Sequence, residues 1–238
     1  MELLILLQNT AGLDTAAAAA NTITEIAITE ETISIWQLIQ DGGWYIMGPL
    51  GILSIIATYI FIERMLAIGR AGRVEKDFMN RIKDYILDEK MDSAIDLCRQ
   101  ADTPVAHMIG KGISKIGRPI KDINDSIENV GKLEVSKLER GLPTLATVAG
   151  AAPMIGFLGT VIGMIQTFHQ MMISANGVEI AQLSGGIMQA MVTTVAGLVI
   201  GIMAYICYNI LVARLTNVIN GLEASSIEFL DVLDTPAK

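Results

Sequence analysis

Thr160 and Thr194 place hydroxyl groups deep inside two stretches that otherwise suit only lipid, TVAGAAPMIGFLGTVIGMIQTF and IMQAMVTTVAGLVIGIMAYICYN. A hydroxyl donates one hydrogen and accepts at its oxygen, so it can replace part of an ion's hydration shell or hold a water chain. In the earlier stretch, Ala149, Pro153, Gly156, Thr160, Gly163 and Thr167 alternate by four and three residues, which makes one helical stripe of small and polar groups. Gly159 and Gly163 add a small-xxx-small pair that lets helix backbones approach closely. The later stretch repeats the pattern, with Ala190, Thr194, Gly197 and Gly201 on one face, Thr193 beside them and Gln189 a turn earlier. Thr160 lies about eight residues before the end of its stretch and Thr194 about seven after the start of its own, so both sit roughly 10 to 12 Å in. If the two helices form an antiparallel hairpin, the threonines meet at one level on packed faces.

Packing alone accounts for many membrane threonines, because the hydroxyl bonds its own i−4 carbonyl and adds only about 0.6 kcal/mol to helix association. Two threonines at matched depth on small-residue faces favour an ion pathway, with Thr160, Thr194, Thr193 and Gln189 as its polar groups and Pro153, Gly156, Gly159, Gly163, Gly197 and Gly201 as its packing and lining. Proton relays need a group that binds and releases the proton, normally Asp, Glu or His. No carboxylate lies in either stretch and Gln189 cannot titrate, so the titratable group of such a pathway must come from another chain. His169, just past the earlier stretch, reads as an interfacial residue with at most a minor role. No nucleophile is paired with a base, which argues against an intramembrane enzyme. No metal or other cofactor is expected: the two histidines, His107 and His169, fall on opposite sides of the membrane, and the two cysteines, Cys98 and Cys207, suggest no disulfide.

These residues must be positioned by spanning helices. The chain has 238 residues, of which 52% are hydrophobic and only 18% charged, and its mean hydropathy of +0.49 is that of a membrane protein. Three segments of sufficient length lack Asp, Glu, Lys and Arg: 44–62, 142–168 and 187–211. Fifteen of the 17 basic residues lie from Arg64 to Arg140, so the positive-inside rule puts the N-terminus outside and the C-terminus in the cytoplasm. The expected organisation is an outer N-terminal segment over 1–43, a first span over 44–63, a cytoplasmic helical domain over 64–141, a second span over 142–168, an outer loop over 169–186, a third span over 187–211 and a cytoplasmic helix over 212–238. The start, MELLILLQNTAGLDTAAAAA, has an apolar run and an Ala-rich patch like a signal peptide but no basic n-region, which favours an uncleaved outer tail. It leads into SIWQLIQ, where Trp36 and Ile39 suit a short interfacial helix. Pro49 and Gly51 suggest a bend in a lipid-facing first span, and Tyr205 and Tyr208 suit an aromatic belt. Phe78, Ile82 and Ile86 mark one amphipathic helix and MDSAIDLCRQ a second; Ile127, Val130 and Leu133 are expected to share the buried face of another. The fold class is all-α, a membrane protein of three transmembrane helices with long cytoplasmic helical extensions.

At this point the chain resembles the ExbB/TolQ branch of the stator-protein family that also includes MotA. The resemblance rests on an Ala-Pro, a Gly-x-x-Gly-Thr-Val-x-Gly run, then Ala-x-x-x-Thr-x-x-Gly-Leu and a Tyr-Asn pair; it is strong over Gly150 to Asn209 and extends weakly to about Glu63. It implies a homopentamer in the bacterial inner membrane around a dimer of a single-span partner of the ExbD/TolR type, whose membrane aspartate takes the proton. It further implies a TonB/TolA-like transducer, with the proton-motive force driving work at the outer membrane or in the periplasm. Sodium is the alternative ion, a membrane scaffold without conduction is the alternative role, and no nucleic acid is involved. By the same resemblance Thr160 and Thr194 face the partner's aspartate, and Pro153, Gly156, Gly159, Gly163 and Gly197 occupy the family's small-residue positions. Gln189 stands where a family glutamate is common, and Met203 where a proline is.

Overall fold

The computed structural model describes residues 43–72, 77–173 and 180–234, and these are helical with short connections and no strand. The expected N-terminal segment over 1–43, its interfacial helix and the question of cleavage lie outside the described residues, apart from Gly43. The helices are α1 (Trp44–Ala71), α2 (Phe78–Leu87), α3 (Met91–Ala101), α4 (Pro104–Ile113), α5 (Ile120–Glu139), α6 (Leu142–Ile173) and α7 (Ile180–Asp234). Three stretches of helix are long and apolar enough to cross a membrane: α1, the continuous run through α5 and α6, and α7.

Every span runs beyond its apolar part. At 1.5 Å per residue the 55 residues of α7 extend about 80 Å, while a bilayer core takes about 30 Å. The expected outer loop over 169–186 is helical at both its ends, because α6 continues to Ile173 and α7 begins at Ile180. At the other end, Gly141 separates α5 from α6: its φ of +89° is a conformation only glycine adopts without strain, and a Cβ there would press on Ile60 at 3.3 Å. Arg64 closes the same junction. Its Nη1 donates to the Lys137 carbonyl at 3.1 Å, which puts a cation at the C-terminus of α5, and it pairs with Glu63.

Two apolar clusters hold the chain together. One lies where α1, α6 and α7 leave the apolar stretch, with Leu142, Leu145 and Val148 against Ala204, Leu211 and Leu215, and Ala57 and Ile68 from α1. The other is the core of the bundle formed by α2 to α5 on the distal part of α7, with Phe78, Ile82, Leu97, Ile109, Ile123 and Ile127 gathered against Leu222 and Phe229. Local signals start and stop these short helices. Thr103 caps α4 by accepting from the Ala106 N–H at 3.3 Å, Pro104 fills the first turn where its missing N–H costs nothing, and Asp102 ends α3 in the left-handed region.

The apolar face expected on α5 is corrected at one position. Ile127 is fully buried and Val130 packs against the bundle core, but Leu133 is exposed, and the buried stripe runs Ile123, Ile127, Gly131, Glu134, Leu138. Met108 of α4 packs so closely that a Cβ on Gly131 would meet it at 3.0 Å, and Glu134 is held by Lys137 Nζ at 2.7 Å and His107 Nδ1 at 3.3 Å. Close approach and charge pairing thus place a glycine and a carboxylate on the buried face. As for the first span, Trp44, Tyr45, Ile52, Ile55 and Tyr59 are exposed, as an outward apolar face requires, and Pro49 is accommodated inside the helix.

Phe229 is the keystone of the bundle: a Cβ on Gly112 would meet its ring at 2.7 Å. Phe229→Ala is expected to cost about 3–5 kcal/mol of bundle stability. Cys98 supplies a reporter, because it is buried in the same core and burial pushes its thiol up to about 11. Alkylation of Cys98 at pH 8 should be slow in the parent chain and much faster in Phe229→Ala; equal rates would show that the cluster does not depend on the ring.

Candidate functional site: a glycine seam between α6 and α7

The α6–α7 hairpin is closed by residues with almost no side chain. Descending from the hairpin end, added Cβ atoms show which groups meet: Gly186 abuts the Thr167 hydroxyl, Gly163 would meet Ala190 Cβ at 2.9 Å, and Gly159 would meet Thr193 Cβ at 2.7 Å. Next, Gly197 would strike the Gly156 Cα at 2.8 Å and the Ala152 carbonyl at 2.6 Å; last, Gly201 would strike Pro153 Cγ at 2.5 Å. At the middle rung backbone touches backbone. Gly150, in contrast, has open space around it. Each packing residue expected from the sequence, Pro153, Gly156, Gly159, Gly163, Gly197 and Gly201, therefore lies in this seam, and Ala152, Thr167 and Gly186 join it.

The threonines divide between seam and edge. Thr193 is buried in the seam, with its hydroxyl donated to the Ala190 carbonyl at 2.7 Å and 3.5 Å from the Gly156 carbonyl. Thr194 is half-buried, and its hydroxyl crosses between helices to donate to the Gly156 carbonyl at 3.1 Å. Thr160 is also half-buried and donates to the Phe157 carbonyl of its own helix at 2.6 Å. One residue is about 100° of helix. Thr160 follows Gly159 and Thr194 follows Thr193, so on antiparallel helices both step off the seam to the same side. They share an edge with the exposed apolar side chains of Phe157, Val161, Val195 and Leu198.

Helix α1 covers the opposite edge. A Cβ on Gly159 would meet Ile46 at 3.2 Å, and the Gln189 amide abuts Gly43, the residue that caps α1. Gln189 is therefore not brought together with Thr160 and Thr194. It lines a groove of about 470 Å³ at the hairpin end with Gln166, Thr167 and Gln170, over a floor of Gly163, Gly185 and Gly186. Gln166 and Gln170 were not among the residues expected here; the sequence signal for them is their i, i+4 spacing at the end of an apolar stretch. His169 is exposed beside them.

Chemically, the edge offers acceptors. Each of the two hydroxyls spends its hydrogen on a carbonyl, which leaves oxygen lone pairs facing outward. No group of three His, Cys, Asp or Glu that could hold a metal occurs among the described residues, and no Asp, Glu, His, Lys or Arg lies on the seam or beside Thr160 and Thr194.

The family model described as the MotA/TolQ/ExbB proton channel family matches residues 100–224, over half of the chain. An ExbB homolog of Methanothermobacter thermautotrophicus is 28% identical over 193 residues, covering 80% of this chain and 67% of its own. The Tol-Pal system protein TolQ of Pseudomonas aeruginosa is 29% identical over 221 residues, 84% of this chain and 92% of its own. The biopolymer transport protein ExbB of Neisseria meningitidis is 24% identical over 177 residues, 67% of this chain and 77% of its own.

The seam makes a sharp contrast between glycines. Gly156→Val and Gly197→Val should overpack it and force the hairpin open, at a cost of at least 1–3 kcal/mol, whereas Gly150→Ala should be silent. Protease protection and homogeneous elution of the purified variants check this, and a well-behaved Gly197→Val would contradict the backbone contact.

Proposed function

The chain belongs to the MotA/TolQ/ExbB proton channel family, and we propose that it is the channel subunit of an ion-driven inner-membrane motor, not an enzyme. The observation that carries this reading is the shared edge of Thr160 and Thr194, which presents oxygen acceptors with no carboxylate or histidine beside them. A protonated carboxylic acid has one hydrogen to donate and would be received there; its carboxylate has none and would leave. That difference lets an acid on a neighbouring chain distinguish its two protonation states at this edge. The fitting partner is a single-span protein of the ExbD/TolR type with a membrane aspartate, enclosed as a dimer by a pentamer of this chain. Exposed apolar residues beside the threonines suit such a neighbouring helix. The named relatives serve biopolymer transport and the Tol-Pal system; by analogy the work driven here is at the outer membrane or in the periplasm, through a TonB/TolA-like transducer. In this orientation the N-terminus is periplasmic and α2 to α5 and the end of α7 are cytoplasmic, as the basic residues require.

The decisive comparison is between removing and keeping the acceptors. In vesicles carrying the complex, Thr160→Val/Thr194→Val should abolish proton uptake while the assembled complex still purifies, and Thr160→Ser/Thr194→Ser should retain it. Undiminished uptake by the double valine variant would leave packing as the sole role of these threonines. Two acceptor oxygens also suit a partly dehydrated sodium ion. Loss of activity when choline replaces sodium at constant pH would make sodium the ion.

A further inference from the structure

The junction of α5 and α6 carries a polar cleft that the ion pathway does not use. It is open, about 540 Å³, and lined by Ser136, Lys137, Glu139, Arg140 and Thr144 among others. Its depth in the membrane follows from the fold. Gly141, between these residues, packs on Ile60 and Arg64, where the apolar run of α1 ends, and Leu142 starts that of α6. The cleft therefore opens at the level of lipid headgroups.

Its charges are arranged in a way that general attraction to a membrane surface does not need. Lys137 is engaged with Glu134 at 2.7 Å. Arg140 and Glu139 are exposed, and among the described residues neither makes an ion pair; the Ser136 and Thr144 hydroxyls have no hydrogen-bond partner there either. The lining thus offers a guanidinium fork with two hydroxyls, which fits phosphate oxygens, and a carboxylate beside it, which repels a simple anion but accepts from an ammonium. We propose that this cleft binds the headgroup of a phospholipid that carries a phosphate and a primary ammonium together, as phosphatidylethanolamine does. Arg140, Ser136 and Thr144 hold the phosphate and Glu139 the ammonium. The inference needs only that the three apolar helices lie in a bilayer, so its failure would leave proton uptake and the threonine edge untouched.

Native mass spectrometry of the full chain, purified with equal amounts of phosphatidylethanolamine, phosphatidylcholine and phosphatidylglycerol, tests it. The parent chain should retain phosphatidylethanolamine over both others. Arg140→Gln should lower that retention about fivefold, and Arg140→Lys should restore part of it. Glu139→Gln should erase the preference over phosphatidylglycerol, and Lys121→Gln, the same charge loss elsewhere in the bundle, should change nothing. Equal loss in Lys121→Gln, an unchanged Arg140→Gln, or release of the lipid by millimolar soluble phosphoethanolamine would each overturn the proposal, the last by showing that the small molecule suffices.

Discussion

Backbone contact between Gly156 and Gly197 sets the spacing on which the rest of the membrane region depends. Lipid tails are as apolar as leucine, so helices gain little by hiding apolar side chains from them and associate instead through close packing and interhelical hydrogen bonds. The seam uses both. With no side chain at the middle rung, the Gly156 carbonyl comes within 3.1 Å of the Thr194 hydroxyl, a bond that a Cβ at either glycine would prevent. Toward the bundle the same pair of helices changes to Leu142, Leu145 and Leu211, and there α1 wedges in with Ala57 and Ile68. Small residues at one end let α6 and α7 touch backbone to backbone with α1 along their edge, and bulkier ones at the other make a cluster that all three helices share.

How far this was legible in the sequence depends on how much each feature is local. The seam residues could be picked out because alternation by four and three survives any detail of packing: Pro153, Gly156, Gly163, Ala190, Gly197 and Gly201 are where periodicity puts them. Helix class and the three spans were equally readable from length and the absence of charge. The roles of Thr193 and Thr194 were not. Adjacent residues differ by about 100°, and which one enters the seam depends on where α1 docks, a tertiary fact. For the same reason Gln189 read as a pathway residue, although it lies against Gly43 on the side α1 occupies. On α5 the sequence pattern favoured Leu133 over Gly131, because hydrophobicity cannot register that Met108 leaves room only for a hydrogen. Within the expected loop over 169–186, residues 169–173 and 180–186 are helical because uncharged residues beyond an apolar stretch can keep their helical hydrogen bonds in water or in contact with a neighbour.

The helix extensions tie the membrane region to the bundle without a flexible joint. Residues of α7 contact the seam at Gly186, the shared cluster at Leu211 and the bundle core at Phe229, all along one uninterrupted helix. The seam residues of α7 and the core residues Leu222 and Phe229 therefore belong to one continuous hydrogen-bonded helix. The bond from Arg64 to the Lys137 carbonyl adds a second tie, from α1 to the end of α5. Gly141 is the place where the direction of the chain can change between α5 and α6, since its backbone adopts a conformation the neighbouring residues do not.

On the proposed reading the ion site is divided, with acceptors on this chain and the titratable acid on another, and the division has a physical consequence. A charged carboxylate near the centre of a single spanning helix costs about 2.5–3.5 kcal/mol even on lenient scales, whereas a threonine that spends its hydrogen on a carbonyl costs little in lipid. This chain can thus insert and close its seam with every buried side-chain donor and acceptor satisfied among its described residues. It also follows that the hairpin alone cannot pass protons, because a hydroxyl whose hydrogen is committed to a carbonyl neither binds nor releases one at accessible pH. Conduction then arises only when the partner's acid arrives at the edge of Thr160 and Thr194, so that the membrane stays sealed until the assembly able to use the gradient is complete.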